Sequence, residues 1–365
     1  MEFWGTIAAF FLFALSPVGS FLISPVSAKS PPSALTTDIS QKPDQWQAGC
    51  LPYSSLLRCL MISNPRTHAI VRLKDLELPR PQVSGAETLP LYLLSGGLLW
   101  TVDLQVGSVS GRFLVDTGAA TTMVGSPLIQ KLGLHGTSLS RDRLDYAVAG
   151  NSCPNFQAIL HRLPTLKNKS INIDNLSVLE LANTAIPNDI LGVLGMDILS
   201  DFDVIIDPTQ HNIQLLPPSE LPTKENNHAI PLLGKLGVML AQVEINGKGP
   251  FTFLLDTGAE SIFMSPQVAQ KLAIVPSQMK DINVEGFCGL ESAKITQLAQ
   301  VKLGDKKLDK LEAIVLDSSI LKLLEIDGIL GQNFLNKFKQ HWRFEQNKNG
   351  KNPQQGTLIL HSASE

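Results

Sequence analysis

The sequence lacks the features that mark nucleic-acid-binding and metal-binding proteins. Its 30 Lys and Arg are outnumbered by 33 Asp and Glu, so the formal net charge is -3 at pH 7, and no long basic run occurs. Without a basic surplus a protein surface does not neutralise a phosphate backbone, and we expect no nucleic-acid partner. The seven His stand singly, without a His-Glu-x-x-His or Cys-x-x-Cys spacing, so we also expect no metal site.

Motifs for phosphate-bearing cofactors and for serine nucleophiles are missing as well. There is no Gly-rich phosphate loop and no Gly-x-Ser-x-Gly elbow, and we expect no cofactor. Cysteine is scarce, with four in 365 residues. Cys50 and Cys59 lie close together, but this spacing fits a disulfide in an exported protein and two free thiols in a reducing compartment equally well.

The chain has one long hydrophobic run, at its N-terminus. Residues 3–26 are apolar except for small hydroxyl residues, and Val-Ser-Ala precedes Lys29. This pattern is typical of an export signal that is cut after Ala28, whereas an uncut segment of this length could cross a bilayer. We therefore interpret residues 1–28 as a signal peptide or membrane anchor, and we expect an exported or membrane-anchored protein in a periplasm, a lumen or the extracellular space. A buried N-terminal helix is the alternative.

Residues 29–94 separate this segment from the rest of the chain. Their first part is rich in Ser, Pro, Thr and Asp, which is typical of a flexible tether. The remainder combines a short apolar stretch with a Pro-rich run, and we interpret it as an N-terminal extension that packs on the body as a strap or tethers it. A removable propeptide is the less favoured alternative, because the region has no strong basic run that could pair with acidic groups.

From Leu98 onward the chain repeats itself. Four pairs of segments recur in the same order at an offset of 135 to 140 residues: "FLVDTGA" and "FLLDTGA", "SPLIQKL" and "SPQVAQKL", "VAGNSC" and "VEGFCG", and "GVLGMDIL" and "GILGQNFL". This order indicates an internal duplication. Ser126-Pro127 and Ser265-Pro266 each predict a helix with a Ser N-cap and Pro at its first position.

Each copy contains many short alternating apolar runs separated by turn residues, and one or two helix patterns. These features predict a mostly β lobe of the usual size of one domain. We place the first lobe at 95–218, a polar and Pro-rich linker at 219–229, and the second lobe at 230–365. The predicted fold class is therefore mostly β and bilobal, built from two tandem pseudo-symmetric β lobes with one or two short helices each.

Each copy places Asp-Thr-Gly in the middle of an apolar run, at Asp116 and at Asp256. These residue types are poor choices for a buried strand, so packing alone does not explain them. Duplication explains both copies if each lobe contributes one carboxylate to a shared centre. Two carboxylates a few ångströms apart share one proton, and one then acts as a base while the other acts as an acid. Such a pair can activate a water molecule against a substrate carbonyl.

The doubled Asp-Thr-Gly-Ala, together with the apolar-apolar-Gly triplets that end at Gly195 and Gly331, resembles the aspartic protease family. The Ala after Asp-Thr-Gly is similar to retroviral (retropepsin-like) halves, whereas two halves in one chain is the pepsin-like arrangement. The resemblance implies a bilobal acid-protease-like fold and an aspartic endopeptidase. In such an enzyme, a water activated by an Asp116/Asp256 dyad hydrolyses the bonds of a peptide or protein substrate in a cleft between the lobes. It also implies a monomer, because both half-sites lie in one chain.

The resemblance further implies residues that support the dyad or contact the substrate. The active loops would be shaped by the residues that follow each Asp, which are Thr117, Gly118, Ala119, Thr257, Gly258 and Ala259. Glu260 stands where retroviral halves carry an acidic residue that holds the substrate backbone, whereas the first lobe has Ala120, so the two ends of the cleft should differ. Candidate flap segments supply three more substrate-contacting residues, which are Tyr146, Gly150 and Gly286. For the Tyr, a place in the core or in a strand is an equally good interpretation.

Two alternatives to an enzyme stay open, because fold does not establish function. One is a non-catalytic peptide-binding protein on the same fold, which the loss of either Asp would favour. The other is an adaptor that residues 3–26 tether to a membrane and whose extension carries the function. Both Asp-Thr-Gly motifs are intact, which favours the endopeptidase.

Overall fold

The computed structural model describes residues 69–73, 78–94, 97–148, 157–182, 186, 189–221, 228–286, 289–346 and 352–362. All of them belong to one compact unit, Leu60–Glu365. The apolar N-terminal run and the Cys50/Cys59 pair lie outside the described residues. Within the described ranges, no helix combines the length and the apolar character needed to cross a membrane.

The first half of the described chain is built mostly from strands. The described part of the N-terminal extension contributes β1 (Ala69–Leu73), β2 (Gln82–Ser84) and β3 (Glu87–Leu93). The first lobe continues with β4 (Trp100–Val106), β5 (Val109–Val115), β6 (Met123–Val124), α1 (Ser126–Leu132), β7 (Thr137–Leu139), a 3-10 turn (Arg141–Arg143), β8 (Leu144–Val148), β9 (Gln157–Arg162), β10 (Leu166–Asn168), β11 (Ile171–Asp174), β12 (Ser177–Ala182), β13 (Gly192–Leu194), α2 (Met196–Leu199), β14 (Asp203–Asp207) and β15 (Asn212–Leu216).

The second half follows the same plan. Its elements are β16 (Ile230–Lys235), β17 (Val238–Ile245), β18 (Lys248–Leu255), β19 (Ile262–Met264), α3 (Pro266–Lys271), a 3-10 turn (Pro276–Gln278), β20 (Lys280–Gly286), β21 (Gly289–Leu303), β22 (Lys306–Val315), α4 (Ser319–Leu324), β23 (Gly328–Leu330), α5 (Gln332–Leu335), β24 (Phe338–Phe344) and β25 (Gln355–Ser362).

The helices are short, and their ends follow local sequence rules. α3 begins after Ser265, whose hydroxyl accepts a hydrogen bond from the Val268 N–H over 3.2 Å, as predicted. α1 instead begins at Ser126 itself, and its N-cap is Gly125, so the predicted Ser126 cap is wrong. α1 is followed by Gly133, whose φ of 62° is a left-handed conformation that glycine adopts without strain.

In each lobe the apolar-apolar-Gly strand lies beside the strand that delivers the Asp. β13 pairs in parallel with β5, with Gly192 opposite Phe113, and β23 pairs in parallel with β18, with Gly328 opposite Phe253. Each of these strands also pairs antiparallel with the strand after the loop, β6 or β19. A side chain at Gly192 or Gly328 would overlap the carbonyl oxygen of that neighbouring strand, which explains the glycine at both positions.

A six-stranded antiparallel section of the main sheet joins the two lobes. Its order is β3, β15, β14, β24, β25 and β16, so three strands come from each half of the chain. The central pair is β14 with β24, where Val204 lies opposite Trp342 and Ile206 lies opposite Gln340. All four residues are buried. Because the backbone hydrogen bonds run from one lobe into the other, the lobes share a continuous sheet.

The N-terminal extension is partly built into the first lobe. β2 pairs with β11, and β3 pairs with both β4 and β15. Leu89 and Leu91 of β3 are buried in the main hydrophobic cluster. β1 pairs with β8, so the boundary predicted at residue 95 falls after three strands that pair with the first lobe. The mostly β, two-lobed fold itself is confirmed.

Candidate active site

Two loops that begin with the same four residues form the centre of the candidate site. Each follows a strand whose last three residues are buried, β5 or β18, and starts with the predicted Asp. The N–H of Asp116 donates to the carbonyl of Leu194 over 3.1 Å, and the N–H of Asp256 donates to that of Leu330 over 3.0 Å. The apolar-apolar-Gly strands therefore fix the start of both loops in the same way.

The two threonines of the motifs tie the loops to each other. The Thr117 hydroxyl donates to the Leu255 carbonyl over 2.8 Å and accepts from the Thr257 N–H over 3.0 Å. The Thr257 hydroxyl donates to the Val115 carbonyl over 2.9 Å and accepts from the Thr117 N–H over 3.0 Å. Both side chains are buried, so these four hydrogen bonds cross between the lobes in a low-dielectric environment that strengthens them.

The structure brings the Asp116 and Asp256 carboxyl groups to the same glycine. The Oδ1 atom of Asp116 accepts the N–H of Gly118 over 2.7 Å. A Cβ added to Gly118 would lie 2.5 Å from both Cγ and Oδ1 of Asp256. The Gly118 N atom and this Cβ position belong to one residue and are therefore close together. The two contacts and this separation set an upper limit of about 8 Å on the distance between the two carboxyl groups.

Backbone N–H groups orient each carboxylate. The Oδ1 atom of Asp116 also accepts the N–H of Ala119 over 3.1 Å, and the Oδ1 atom of Asp256 accepts the N–H of Gly258 over 2.9 Å. Asp116 and Asp256 are 0% and 1% exposed. Electrostatic interactions are stronger in a buried site than at the surface, and oriented acidic groups in such a site are suited to proton transfer.

Helices α2 and α5 support the two loops. The N–H of Met196 donates to the Ala119 carbonyl over 2.8 Å, and the N–H of Gln332 donates to the Ala259 carbonyl over 2.7 Å. These contacts correspond because Met196 and Gln332 each follow the Gly of a triplet. A Cβ on Gly195 would come within 2.8 Å of the Ala119 carbonyl oxygen, so this glycine lets the helix approach the loop closely.

Asp197, the second residue of α2, has a shifted pKa. Its carboxylate accepts the N–H of Thr122 over 2.9 Å and the Thr122 hydroxyl over 2.7 Å. Burial raises the pKa of Asp197 to about 6, although the hydrogen bonds from Thr122 oppose this increase. Burial also raises the pKa of Asp201, against the opposing effect of the nearby Arg80 guanidinium.

A turn at the start of each lobe packs against the active loop of the other lobe. Between β3 and β4, the N–H of Leu98 donates to Oε1 of Glu260 over 3.1 Å, and Glu260 is 3% exposed. The Glu260 carboxylate also fills the space where a side chain on Gly97 would lie. The corresponding turn of the second lobe places Gly237 against Ala120. The Glu260 side chain thus binds the turn of the first lobe. A role of Glu260 in binding substrate stays a prediction.

Asn336, which sequence reasoning missed, adds a further contact between the lobes. Its side-chain oxygen accepts the indole N–H of Trp100 over 2.6 Å, and its amide nitrogen donates to the Leu98 carbonyl over 2.8 Å. Asn336 is the C-cap of α5, the helix that follows the second triplet. Asn336 directly follows the repeated segment "GILGQNFL", and Asp197 lies within its counterpart "GVLGMDIL", so this repeat was the available signal for both residues.

The two candidate flap segments are built differently. In the second lobe β20 and β21 form a hairpin, with Gly286 opposite Gly289. In the first lobe the backbone of Tyr146 lies in β8, which pairs with β1 of the extension, and Tyr146 is opposite Val71. Gly150 lies outside the described residues. Contact of Tyr146, Gly150 or Gly286 with a substrate stays a prediction.

Two tandem β lobes that meet at paired Asp-Thr-Gly loops are typical of aspartic proteases. Residues 102–201 and 241–337 both match the family model described as "gag-polyprotein putative aspartyl protease". The two segments cover more than half of the chain, so the chain belongs to this aspartyl protease family. Each segment contains one Asp-Thr-Gly motif, which confirms the predicted resemblance to two tandem retropepsin-like halves. Among curated proteins, no sequence matches the chain significantly.

Proposed function

We propose that the protein is an aspartic endopeptidase that hydrolyses peptide bonds with a water molecule activated by Asp116 and Asp256. The observation that supports this most directly is the shared Gly118, whose N–H binds the first carboxylate and whose Cα abuts the second. Two carboxylates that approach within a few ångströms bind one proton between them, which leaves one as a base and the other as an acid. Membership of the aspartyl protease family supports the same class of reaction.

In the proposed reaction, the ionised carboxylate takes a proton from the water while the protonated carboxyl group donates a hydrogen bond to the substrate carbonyl. The water oxygen forms a bond to the carbonyl carbon while the carbonyl oxygen takes the proton of the second carboxyl group. The first carboxyl group then gives the proton that came from water to the amine nitrogen, the C–N bond breaks, and a hydroxyl of the intermediate returns a proton to the second carboxylate. The N–H groups of Gly118, Ala119 and Gly258 keep the two carboxylates oriented during these transfers.

The proposed substrate is an extended segment of a peptide or protein that lies between the lobes and below the β20–β21 hairpin. The proposed enzyme acts as a monomer, because both half-sites lie in one chain. Glu260 and Ala120 differ at equivalent positions, which supports different preferences on the two sides of the cleaved bond. Export through residues 1–28 is part of the proposal, and it is supported by the sequence pattern alone.

The test of the proposed function is the pair of variants Asp116→Asn and Asp256→Asn in the full chain, assayed by mass spectrometry of the products from a peptide library. Each variant should lower kcat by about a thousandfold or more, because it removes one member of a pair that works as a unit. The matched control is Asp309→Asn, which makes the same change at an exposed position on β22. This control should cleave at the wild-type rate.

Two outcomes would contradict the proposal. Near wild-type turnover in either Asp→Asn variant would show that the dyad assignment is wrong. A wild-type chain that binds library peptides and releases them intact would support the alternative of a non-catalytic peptide-binding protein. Circular dichroism must show that each variant keeps its fold, since loss of the fold would also abolish cleavage.

A further inference from the structure

The two active loops are held by different side chains. In the second lobe the amide nitrogen of Gln332 donates to the Thr257 carbonyl over 2.8 Å, and Gln332 is fully buried. In the first lobe the equivalent residue is Met196, which has no group that could make this bond. There the next residue, Asp197, takes over the support of the loop. Its partner Thr122 corresponds to an apolar residue, Ile262, in the second lobe.

A short chain of hydrogen bonds leads from Asp197 into the first loop. One carboxylate oxygen of Asp197 accepts the Thr122 N–H and the other accepts the Thr122 hydroxyl, at 2.9 and 2.7 Å. The Thr122 oxygen in turn accepts the Gly195 N–H over 3.1 Å. Thr122 is fully buried, so it has no solvent to replace these partners. The loop is thus held at Ala119, through Met196, and again at Thr122.

The first of these two anchors, Ala119, also carries an N–H that orients Asp116. The Ala119 N–H donates to the Asp116 carboxylate over 3.1 Å, whereas the Ala259 N–H of the second loop donates to the main-chain carbonyl of Asp256 over 3.3 Å. The first loop therefore points one more backbone N–H at its carboxylate through its Ala. This difference coincides with the presence of Thr122 and Asp197 in the first lobe.

We propose that Asp197 is a positioning residue for Asp116, which acts through Thr122 to keep the Ala119 N–H on the Asp116 carboxylate. This inference rests on the proposed function. A carboxylate suits the task because it accepts two hydrogen bonds from one residue, and hydrogen bonds to an ionised group are stronger than neutral ones. Asparagine has a single side-chain oxygen, so it cannot accept both the N–H and the hydroxyl hydrogen of Thr122 at the two atoms that bind them in Asp197.

The charged groups around Asp197 leave its carboxylate bound to Thr122. Asp201 follows the same helix, and its carboxylate lies 3.1 Å from the Arg80 guanidinium. Asp201 therefore has a cation as its partner, and it offers a matched position outside the active loop.

The test is a double-mutant cycle of Asp197→Asn and Thr122→Val in the full chain, with kcat and KM measured on a fluorogenic peptide selected from the library. Each single variant should lower kcat about tenfold with KM within about twofold, since the dyad is misplaced while the binding surface is kept. The double variant should be no slower than the slower single variant, because both changes break the same contact. The control Asp201→Asn should leave kcat unchanged.

Hydrogen exchange measured by mass spectrometry reports on the loop without any need for catalysis. In Asp197→Asn, peptides that cover Phe113–Val124 should exchange about tenfold faster, while peptides that cover Phe253–Met264 should exchange as in the wild type. Equal acceleration in both segments would mean a general loss of stability and would overturn the proposal, as would independent effects in the kinetic cycle. If the wild-type chain cleaves nothing, the proposed function fails, and the exchange comparison alone decides whether Asp197 holds the loop.

Discussion

Single residues of the candidate site are fixed by contacts across the two lobes. Gly118 binds the Asp116 carboxylate through its N–H and leaves room at its Cα for the Asp256 carboxyl group. Any larger residue at position 118 would displace Asp256, because Cβ atoms do not approach other heavy atoms to 2.5 Å. The Gly of the first Asp-Thr-Gly is therefore required by the carboxylate of the other lobe as well as by its own turn.

Asp197 gives the stability of the protein a specific dependence on pH. Its pKa rises from 3.8 to about 6 on folding, so the folded state binds this proton more tightly than the unfolded state. The contribution of Asp197 to the free energy of unfolding therefore falls as the pH rises from about 4 to about 6, and it is constant outside this window. This decrease in the free energy of unfolding amounts to about 1 to 3 kcal/mol in the wild type, and it should be absent in Asp197→Asn. Urea unfolding at pH 4 and pH 7 measures it.

The matched control for this experiment is Asp103→Asn, because the Asp103 side chain is 52% exposed. Its unfolding free energy should change with pH as in the wild type. The relevant quantity is the difference between pH 4 and pH 7 within each protein, since lost hydrogen bonds lower the stability of Asp197→Asn at every pH. The same difference in the wild type and in Asp197→Asn would contradict the prediction.

At the scale of elements, the two active loops stabilise each other through the paired threonines. Thr257→Val removes a hydroxyl that makes two of the four crossing hydrogen bonds, and it leaves the Val115 carbonyl and the Thr117 N–H without that partner. We expect the free energy of unfolding to fall by about 2 to 4 kcal/mol, because buried polar groups lose their hydrogen bonds. Chemical denaturation measures this change, and kcat should fall in parallel.

Thr137→Val serves as the control, since Thr137 is exposed on β7. It should change the free energy of unfolding by less than about 0.5 kcal/mol. A loss of similar size in both variants would mean that the crossing hydrogen bonds contribute nothing beyond the ordinary cost of the substitution.

Local sequence patterns predicted the elements of the site but not the contacts between distant segments. The repeated Asp-Thr-Gly and the apolar-apolar-Gly triplets identified both loops and the strands beside them. The pairing of β1 with β8 and the contact of Leu98 with Glu260, 162 residues apart, depend on how the lobes assemble. Hydrophobic periodicity and residue propensity carry no information about such partners. Even a local signal failed at Ser126, because that helix starts one residue earlier than the cap pattern predicted.

At the scale of the whole molecule, the six-stranded section of the main sheet makes part of the extension necessary for folding. A chain that starts at residue 78 loses β1 and its pairing with β8 but keeps β2 and β3, whereas a chain that starts at residue 95 loses all three strands and the buried Leu89 and Leu91. We expect the first chain to fold like the full protein and the second to lose at least about 3 kcal/mol or to aggregate, because it exposes strand edges and apolar surface. Soluble yield and the denaturation midpoint distinguish the two chains.

This prediction bears on the alternative of a removable propeptide. Processing of the natural protein near residue 95 would remove β3 from between β4 and β15. Mass spectrometry of the mature, active protein gives its N-terminus directly. An N-terminus near residue 95 would contradict both the truncation prediction and the interpretation of the extension as a strap.

The central pair of β14 with β24 also determines how the site would behave if the chain were cut. Each lobe on its own would present one of these strands as an unpaired edge, and the two edges complement each other in register. A break between β15 and β16 would therefore leave two fragments that can recombine through strand pairing. The assembled loops would then depend on the concentration of the fragments, whereas the covalent chain keeps the two carboxylates together at any dilution.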